Sequence, residues 1–384
     1  MLGPGQPNPA NSGLGVAAYH IAQHLAPITH LKVLQPATYG NSYAELFSEE
    51  AIVVNQVAVN TSRLIAPYAY TGNSRLLNSA KLTENELKDA LKEYSQELLA
   101  GIEQQDFDVI YAHDWINFEA ALALKQAYKK PLVVHLHSLD YDRSTGHTNS
   151  WIYQLEKQAM HQAEAIVAVS KYTASIIKEE YGINSAVDIV PNGIAMPASF
   201  QKIAKPFPEK LILFVGRLTE QKGPEIFLKI AQKVSEQMPD TRFVMAGQGD
   251  LLKKLISSGA YRKLARRFHF TGHIGRNDLY QIYAMADVYC MPSVSEPFGL
   301  SALEAAGFGL PVVLSRQSGA AEVLPGAFVA DYWQVNELAE KVVYCLNNKK
   351  PTSEAVALNK AALSATSWPN TAKAIARILQ LRAR

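Results

Sequence analysis

The sequence has little cysteine, little net charge and no long apolar run. Its 384 residues include two cysteines, Cys290 and Cys345. Two are too few for a disulfide framework and indicate buried thiols in a reducing compartment. The formal net charge is +2, which argues against nucleic acid or an anionic membrane as the main partner. No apolar run approaches the roughly 20 residues that a membrane-spanning helix needs.

The N-terminal segment lacks the features of a secretory signal. Residues 1–5 have neither a basic region nor an apolar core, so we expect a cytoplasmic protein. Hydrophobic residues make up 48% of the chain and charged residues 19%, a balance typical of folded proteins. The length suits two domains of roughly 150–200 residues each.

Short apolar or β-branched runs alternate with amphipathic stretches of helical length, which indicates parallel strands joined by helices. In the first half we predict strands at residues 108–112, 131–136, 165–169 and 187–190, and helices at 16–25, 115–128 and 149–163. The turn Pro191-Asn192-Gly193 ends this series. The alternation then restarts, with strands predicted at 211–215, 242–246, 268–271, 287–291 and 311–314.

This restart predicts an α/β chain of two doubly wound, Rossmann-like domains that face a central cleft. We place the first domain at residues 1–193 and the second at 194–365, with a linker across 195–208. A helix at the end of the chain, within 366–384, is expected to cross back to the first domain.

The start of the first domain departs from this pattern. A glycine turn at residues 11–15 leads into a helix, but almost no strand precedes it. We interpret Met1 and Leu2 as the remnant of that strand, which suggests a late start site.

A cationic loop follows the first strand of the second domain, where doubly wound folds bind ligands. Gly216 lets the backbone approach a ligand, and Arg217 and Lys222 bring two positive charges that suit a diphosphate. The structural alternative is a solvated loop in which Lys222 pairs with Glu220 or Glu225.

A second motif, residues 295–305, opens a helix near Gly299 two or three strands away from the cationic loop. The free N–H groups and the dipole of a helix start favour a phosphate. Glu296 precedes the helix, and Glu304 lies five residues inside, about 7.5 Å along its axis. Carboxylates at these positions can accept hydrogen bonds from sugar and ribose hydroxyls. The structural alternative is an acidic first turn stabilised by the dipole.

Together these motifs resemble the retaining, B-type glycosyltransferases of family 4, a group related to glycogen and sucrose synthases. The similarity rests on residues 215–218, 221–223, 246–249 and 270–272, and above all on the paired glutamates Glu296 and Glu304. It covers the second domain closely and the first more loosely.

The resemblance implies a role for each residue of the second domain. Arg217 and Lys222 bind the diphosphate, and Glu304 holds the ribose. Glu296 holds the transferred sugar together with the backbone of Phe298, Gly299 and Leu300. Gly216 and Gly247 complete the donor site, and Thr271, His273 and Ile274 lie in the segment that passes the base.

In the first domain, Gly13 and Gly15 resemble the family's glycine loop, which faces the diphosphate; a plain helix-start turn is the alternative. The lysine and extra glycine of starch synthases are missing, which argues against that branch. Asp114 either caps the helix that follows it or, by resemblance, lies on the acceptor side.

His135 and His137 project from one face of a predicted strand. Such spacing can bind zinc, but no third ligand of convincing spacing follows, so we predict no metal. By resemblance His137 lies beside the transferred sugar, and residues 140–143 help to select the acceptor. The basic helix at 261–267 is interpreted as a solvated face, with peripheral membrane docking as a weaker alternative.

We therefore expect a retaining hexosyltransferase with a nucleotide-sugar donor (UDP- or ADP-glucose), a sugar or glucan acceptor and no cofactor. Three alternatives stay open. A sugar-nucleotide epimerase or hydrolase and a silent nucleotide-sugar binding protein can share the architecture. A glucan phosphorylase would need a pyridoxal-phosphate lysine that we do not identify.

Overall fold

The computed structural model describes residues 1–3, 13–36, 52–57, 83–102, 107–197 and 204–383. The chain divides into two units. Unit 1 comprises Met1–Gly193 with Trp368–Arg384, and unit 2 comprises Ile194–Ser367. Across the described ranges, every helix is too short or too polar to cross a bilayer.

Unit 1 is built on parallel strands. In chain order they are β1 (Leu31–Pro36), β2 (Ile52–Val57), β3 (Ile110–His113), β4 (Leu132–Leu136), β5 (Ala165–Ala168) and β6 (Val187–Ile189). The hydrogen-bonded orders are β2-β1 and β3-β4-β5-β6, and every pair is parallel. All residues of β3, β4 and β5 are buried, as continuous apolar runs predict for a sheet covered on both faces.

The first residues of the chain lie between β1 and β3. Leu2 forms parallel bridges to Leu34 of β1 and to Ala112 of β3. Its N–H donates to the carbonyl of Tyr111 at 2.7 Å, and its carbonyl accepts from the N–H of His113 at 3.2 Å. Residues 1–3 therefore take the place of the strand that is missing from the sequence pattern.

Helices of unit 1 connect and cover these strands. They are α1 (Gly13–Leu25), α2 (Glu84–Gly101), α3 (Phe118–Tyr128), α4 (Asp140–Arg143), α5 (Trp151–Gln162), α6 (Lys171–Glu179) and α15 (Trp368–Arg382). Ser150 and Ser170 act as N-caps, since their hydroxyls accept from the N–H groups of Tyr153 and Thr173.

The helix α15 packs on α1 although it follows unit 2 in the sequence. The Trp368 indole stacks on the His20 ring with centroids 5.0 Å apart. The Thr371 hydroxyl donates to the carbonyl of Pro191 at 2.8 Å. Ala372 and Ile375 are fully buried, so the apolar stripe of α15 belongs to the core of unit 1.

Unit 2 holds a six-stranded parallel sheet in the order β12-β11-β10-β7-β8-β9. Its strands are β7 (Lys210–Val215), β8 (Thr241–Ala246), β9 (Phe268–Gly272), β10 (Val288–Met291), β11 (Val312–Ser315) and β12 (Phe328–Ala330). Its helices are α7 (Pro224–Gln237), α8 (Leu252–Ser257), α9 (Gly259–Leu264), α10 (Arg276–Met285), α11 (Leu300–Gly307), α12 (Ala320–Val323), α13 (Val335–Asn347) and α14 (Lys349–Leu363).

Several predicted elements need correction. The helix predicted at 115–128 begins as a 3-10 turn, Trp115–Asn117, and becomes α-helical at Phe118. The basic helix predicted at 261–267 ends at Leu264, and the residues after it lead into β9. The strands β1, β2 and β12 were missed. Of the predicted linker, residues 198–203 lie outside the described ranges.

Candidate functional site

Two loops meet at the carboxyl edge of the unit 2 sheet. One follows β7 and the other follows β10, and these strands are parallel neighbours. The order of the sheet changes direction between them, which is the position where doubly wound sheets bind ligands. The predicted separation of two or three strands was wrong, because β10 crosses back to pair with β7.

The loop after β7 packs against the loop after β8. The N–H of Gly216 donates to the carbonyl of Ala246 at 3.0 Å, and the N–H of Leu218 donates to the carbonyl of Gln248 at 2.8 Å. Gly247 has φ +143°, and a Cβ there would lie 1.9 Å from the carbonyl oxygen of Gly216. Only glycine therefore allows the two loops to approach this closely.

Lys222 forms an ion pair inside this site. Its Nζ lies 2.5 Å from Oε2 of Glu296, and the two side chains are only 19% and 7% exposed. The partners considered from the sequence, Glu220 and Glu225, were wrong: Glu225 pairs with Lys254 at 3.0 Å. The structure thus brings the predicted phosphate-binding cation to the predicted sugar-binding carboxylate.

Backbone hydrogen bonds fix the position of Glu296. Its N–H donates to the carbonyl of Gln317 at 2.8 Å, and its carbonyl accepts from the N–H of Gly319 at 2.9 Å. The preceding loop is tied to the β7 loop, since the N–H of Val294 donates to the carbonyl of Gln221 at 2.9 Å. The carboxylate is therefore held by main-chain contacts on both sides.

The helix α11 begins beside this carboxylate. Gly299 precedes it with φ +91°, and a Cβ there would lie 3.0 Å from Cβ of Ala320. Phe298 is buried, and Leu300 is the first helical residue. The first N–H groups of a helix have no partner within the helix and carry the positive end of its dipole. Such a helix start favours an anion, and it lies beside Glu296, the partner of Lys222.

Glu304 lies in the second turn of α11. Its carboxylate accepts a hydrogen bond from the Tyr283 hydroxyl at 3.3 Å and lies 3.4 Å from the Arg276 guanidinium. Burial raises the pKa of Glu304, and the charge of Arg276 opposes that rise. Sequence reasoning missed Arg276 and Tyr283. Arg276 stands two positions after the predicted base segment, and that nearness was the available signal.

The predicted base segment lies beside the Gly247 turn. The N–H of Gly247 donates to the carbonyl of Gly272 at 3.0 Å, and the Thr271 hydroxyl donates to the same carbonyl at 2.9 Å. His273 is exposed and Ile274 is half-buried. These residues therefore border the β7 and β8 loops at the same edge of the sheet.

Three residues predicted to bind the nucleotide-sugar donor remain: Arg217, Gly13 and Gly15. Arg217 is exposed in the loop after β7. Gly13 is the first residue of α1, and Gly15 is buried in the first turn of that helix. The sequence had suggested that these glycines form a turn before the helix. In the structure they belong to the first turn of the helix itself. Asn11 and Ser12 of the predicted turn lie outside the described residues.

In unit 1, Asp114 positions the end of β4. Its Oδ1 accepts hydrogen bonds from the N–H groups of His137 at 2.6 Å and Ser138 at 3.4 Å. Its side chain makes no capping bond to the 3-10 turn from Trp115, so the capping interpretation was wrong. Asp114 also has φ +52°, a conformation uncommon for any residue other than glycine.

His137 belongs to a buried group of three imidazoles, with His113 and His135. Burial lowers the pKa of His137 to about 3. Burial also holds the pKa values of the other two well below their ordinary range, and neighbouring imidazoles add to the effect. The sequence argument against a metal considered only ligands that follow His137, and the structure adds a third imidazole, His113, on the neighbouring strand.

The segment predicted to select the acceptor is largely internal. Asp140, Asp142 and Arg143 are buried. Arg143 donates to Glu156 at 2.8 Å, a carboxylate that also accepts from the Tyr181 hydroxyl at 2.5 Å. Burial raises the pKa of Glu156 to about 7, against the opposing effect of Arg143. These three side chains therefore support the fold, and Tyr141 is the partly exposed member of the segment.

Two family models match this chain, and they meet close to the boundary between its two units. Residues 196–363 match the family described as glycosyl transferases group 1, and residues 12–196 match glycosyltransferase family 4. An uncharacterized glycosyltransferase of Methanocaldococcus jannaschii is 31% identical over 57% of this chain and 60% of its own length. A glycogen synthase of Mycobacterium tuberculosis is 30% identical over 56% of this chain and 54% of its own length. The matched region thus spans little more than half of these relatives.

Solved structures resemble the whole chain at lower identity. Sucrose-phosphate synthase from Thermosynechococcus elongatus superposes with a TM-score of 0.77 at 17% identity, over 99% of this chain and 98% of that one. HepE of Anabaena, solved in complex with UDP and glucose, gives 0.67 at 18% identity over the same shares. These similarities confirm the predicted fold class, two Rossmann-like domains of the GT-B type.

Proposed function

We propose that this chain transfers a hexosyl group from a nucleoside diphosphate sugar to a sugar or glucan acceptor, with retention of configuration. The proposal is supported by the match of residues 196–363 to the group 1 glycosyl transferases and of residues 12–196 to glycosyltransferase family 4. Unit 2 binds the donor and unit 1 provides the acceptor side. The observation that carries this proposal is the Lys222–Glu296 ion pair at the switch point of the unit 2 sheet.

The ion pair suggests how the donor is received. A diphosphate carries about two negative charges, which two cations can neutralise through charge-assisted hydrogen bonds. Lys222 exchanges Glu296 for phosphate oxygens, and Arg217 and the start of α11 bind the remaining charge. This exchange releases the Glu296 carboxylate to accept hydrogen bonds from sugar hydroxyls.

Catalysis on this proposal is electrostatic. Negative charge grows on the diphosphate as the bond to the sugar breaks. Lys222, Arg217 and the α11 amides therefore stabilise the transition state more than the ground state. The acceptor hydroxyl attacks the anomeric carbon from the face that the diphosphate leaves. A phosphate oxygen of the leaving group takes the proton of that hydroxyl, so no side-chain base is needed. The acceptor hydroxyl is itself the nucleophile, and no side chain forms a bond to the sugar.

Other residues orient the two substrates. Glu304 accepts from the ribose hydroxyls, and the positive charge of Arg276 favours the ionised form of that buried carboxylate. Thr271, His273 and Ile274 border the base. In unit 1, the backbone carbonyl of His137 stabilises positive charge at the anomeric carbon, and Asp114 holds that backbone in place.

Glucose is the sugar we propose, from UDP or ADP. Support comes from the similarity to a glycogen synthase and from the neighbour solved with UDP and glucose. The test is to incubate the purified chain with UDP- and ADP-hexoses, with and without sugar acceptors. Released nucleotide is measured and the anomeric configuration of the product is determined by NMR.

Each outcome separates the proposal from an alternative. Acceptor-dependent release with a retained configuration supports it, and an inverted product contradicts retention. Donor turnover without acceptor indicates an epimerase or hydrolase. A nucleotide sugar that raises the melting temperature but is never turned over indicates a binding protein.

A further inference from the structure

Three histidines converge at the carboxyl ends of β3 and β4 in unit 1. His113 and His135 are partners in the register of these strands. His137 follows His135 by two residues, just past the end of β4, on the same face. One ring nitrogen from each residue lies within 4.8 Å of those from the other two. His113 and His135 are fully buried, and His137 is 9% exposed.

Hydrogen bonds inside the group leave one nitrogen of each ring unused. The Tyr111 hydroxyl lies 2.6 Å from Nδ1 of His135, and Nδ1 of His113 lies 3.0 Å from Nε2 of His137. The other three nitrogens, Nε2 of His113, Nε2 of His135 and Nδ1 of His137, are buried without a hydrogen-bond partner among the described residues. Buried polar atoms are normally satisfied, and three exceptions in one cluster point to a missing ligand.

We propose that His113, His135 and His137 form a binding site for a divalent transition-metal ion of the zinc class. Three imidazoles with a fourth position open to water are a common zinc arrangement. Nitrogen ligands favour zinc, cobalt, nickel and copper over magnesium and calcium, which prefer oxygen. An imidazole coordinates a metal through the ring nitrogen that carries no proton, so each of the three rings offers one ligand atom.

The surroundings supply the outer contacts that such sites use. A ligating histidine normally donates its second N–H to a fixed acceptor, and the Tyr111 oxygen is placed to accept from Nδ1 of His135. Asp114 fixes the backbone of His137 at 2.6 Å. Metal–nitrogen bonds of about 2.0–2.1 Å in a tetrahedral site put the ligand nitrogens roughly 3.3 Å apart. One ring nitrogen from each histidine already lies within 4.8 Å of those from the other two, and rotation of the rings brings them to this spacing. If the ligands are the three nitrogens without a partner, metal binding also breaks the His113–His137 hydrogen bond, and each ring keeps its proton on the nitrogen that faces away from the metal.

The metal site goes beyond the proposed transfer reaction and uses none of the unit 2 residues. His137 is common to both proposals, so the decisive readout is binding and not activity. Failure of the transfer assay would leave the metal result unaffected, and the reverse also holds.

The experiment titrates the chelator-treated full chain with Co2+ and Zn2+ at constant pH. We expect one tightly bound ion per chain after gel filtration, measured by elemental analysis. The Co2+ complex should absorb in the visible range with the intensity of a four-coordinate site, and Zn2+ should raise the melting temperature, while Mg2+ should do neither.

Variants assign the ligands. His113→Gln and His135→Gln should each weaken Co2+ binding at least about tenfold. His161→Gln is the matched control, because His161 is an exposed histidine of the same unit, and it should bind as the wild type does. Equal binding by all three variants, or no retained metal in the wild type, overturns the proposal.

If the variants do not fold, NMR of the wild type with 15N-labelled histidine still decides. Zn2+ should shift the ring nitrogens of three residues together. Shifts confined to exposed histidines overturn the site.

Discussion

Lys222 and Glu296 lie 74 positions apart in the sequence, yet their charged groups are in direct contact, with Nζ 2.5 Å from Oε2. The pairing of β7 with β10 brings the two loops together. In the proposed mechanism the diphosphate of the donor displaces Glu296 from Lys222.

Replacement of Lys222 by Ala should lower turnover by about two to three orders of magnitude, since loss of one such oxyanion donor costs about 2.7–4 kcal/mol of barrier. The free energy of unfolding should fall by about 1–3 kcal/mol, because the mostly buried Glu296 carboxylate loses its charged partner but keeps its main-chain contacts. Donor turnover and a thermal melt of the same protein check both values.

Lys254→Ala is the matched control, because it breaks an exposed pair with Glu225 in the same unit. It should change neither quantity appreciably. Arg217→Ala should behave like Lys222→Ala, with a less than additive double variant if both cations bind one diphosphate. Near-normal turnover in Lys222→Ala would remove the main support for the diphosphate site.

The two glutamates should differ in kinetics. Glu304→Gln should mainly raise the donor KM, because ribose contacts are similar in the ground and transition states. Glu296→Gln should mainly lower kcat, because contacts to the sugar change as its bond breaks. Steady-state kinetics with a varied donor measure both, and the opposite pattern would mean that the donor lies reversed.

Asp114 should be hard to replace. Asp114→Ala removes the acceptor of two backbone N–H groups in a buried site and should cost about 1–3 kcal/mol of stability. Asp114→Asn keeps an acceptor oxygen, and asparagine tolerates a positive φ better than alanine does. Urea unfolding should therefore rank the wild type above Asn and Asn above Ala. Equal stability of the two variants contradicts this role.

Transfer should depend little on divalent metal. In the proposed mechanism Lys222, Arg217 and the N–H groups at the start of α11 neutralise the diphosphate. No metal ion is therefore needed to bridge the diphosphate and the protein. Activity measured in EDTA should stay close to its value with magnesium. Complete loss in EDTA with recovery in magnesium or manganese would falsify this expectation, whatever ion the histidine cluster binds.

Glu156 should make stability fall as the pH rises. Burial raises its pKa from 4.5 to about 7, so the native state binds its proton more tightly than the unfolded chain does. The contribution to stability is complete below pH 4.5 and is lost as the pH approaches 7. The groups around the Glu156 carboxylate that also affect its pKa are Arg143, Tyr181 and Asp140, and burial outweighs them.

Urea unfolding of the wild type and Glu156→Gln across this range measures the effect. Relative to Glu156→Gln, the unfolding free energy of the wild type should fall as the pH rises from 4.5 to about 7. Glutamine does not titrate, so the variant has no such loss. Parallel curves for the two proteins would show that Glu156 titrates at its ordinary pKa.

The sequence predicted the second unit better than the first because its signals are local. A glycine turn, a helix start and a following acid can all be read along a few residues, as at Gly299 and Glu304. The partner of Lys222 could not be read in this way, since it depends on which strands become neighbours. The third histidine was missed for the same reason. Met1 and Leu2 were interpreted as the remnant of a strand only because a glycine turn and a helix follow them, since a single bridging residue has no periodicity of its own to detect.

The position of α15 has a consequence for synthesis on the ribosome. Unit 2 is contiguous in the sequence, so it can fold as soon as its own residues have emerged. Unit 1 lacks α15 until Trp368–Arg382 has been translated, and until then the face of α1 that receives Trp368 and its neighbours stays uncovered. The domain translated first is therefore completed last, and it must wait through the translation of residues 194–367 with part of its core open to chaperones and proteases.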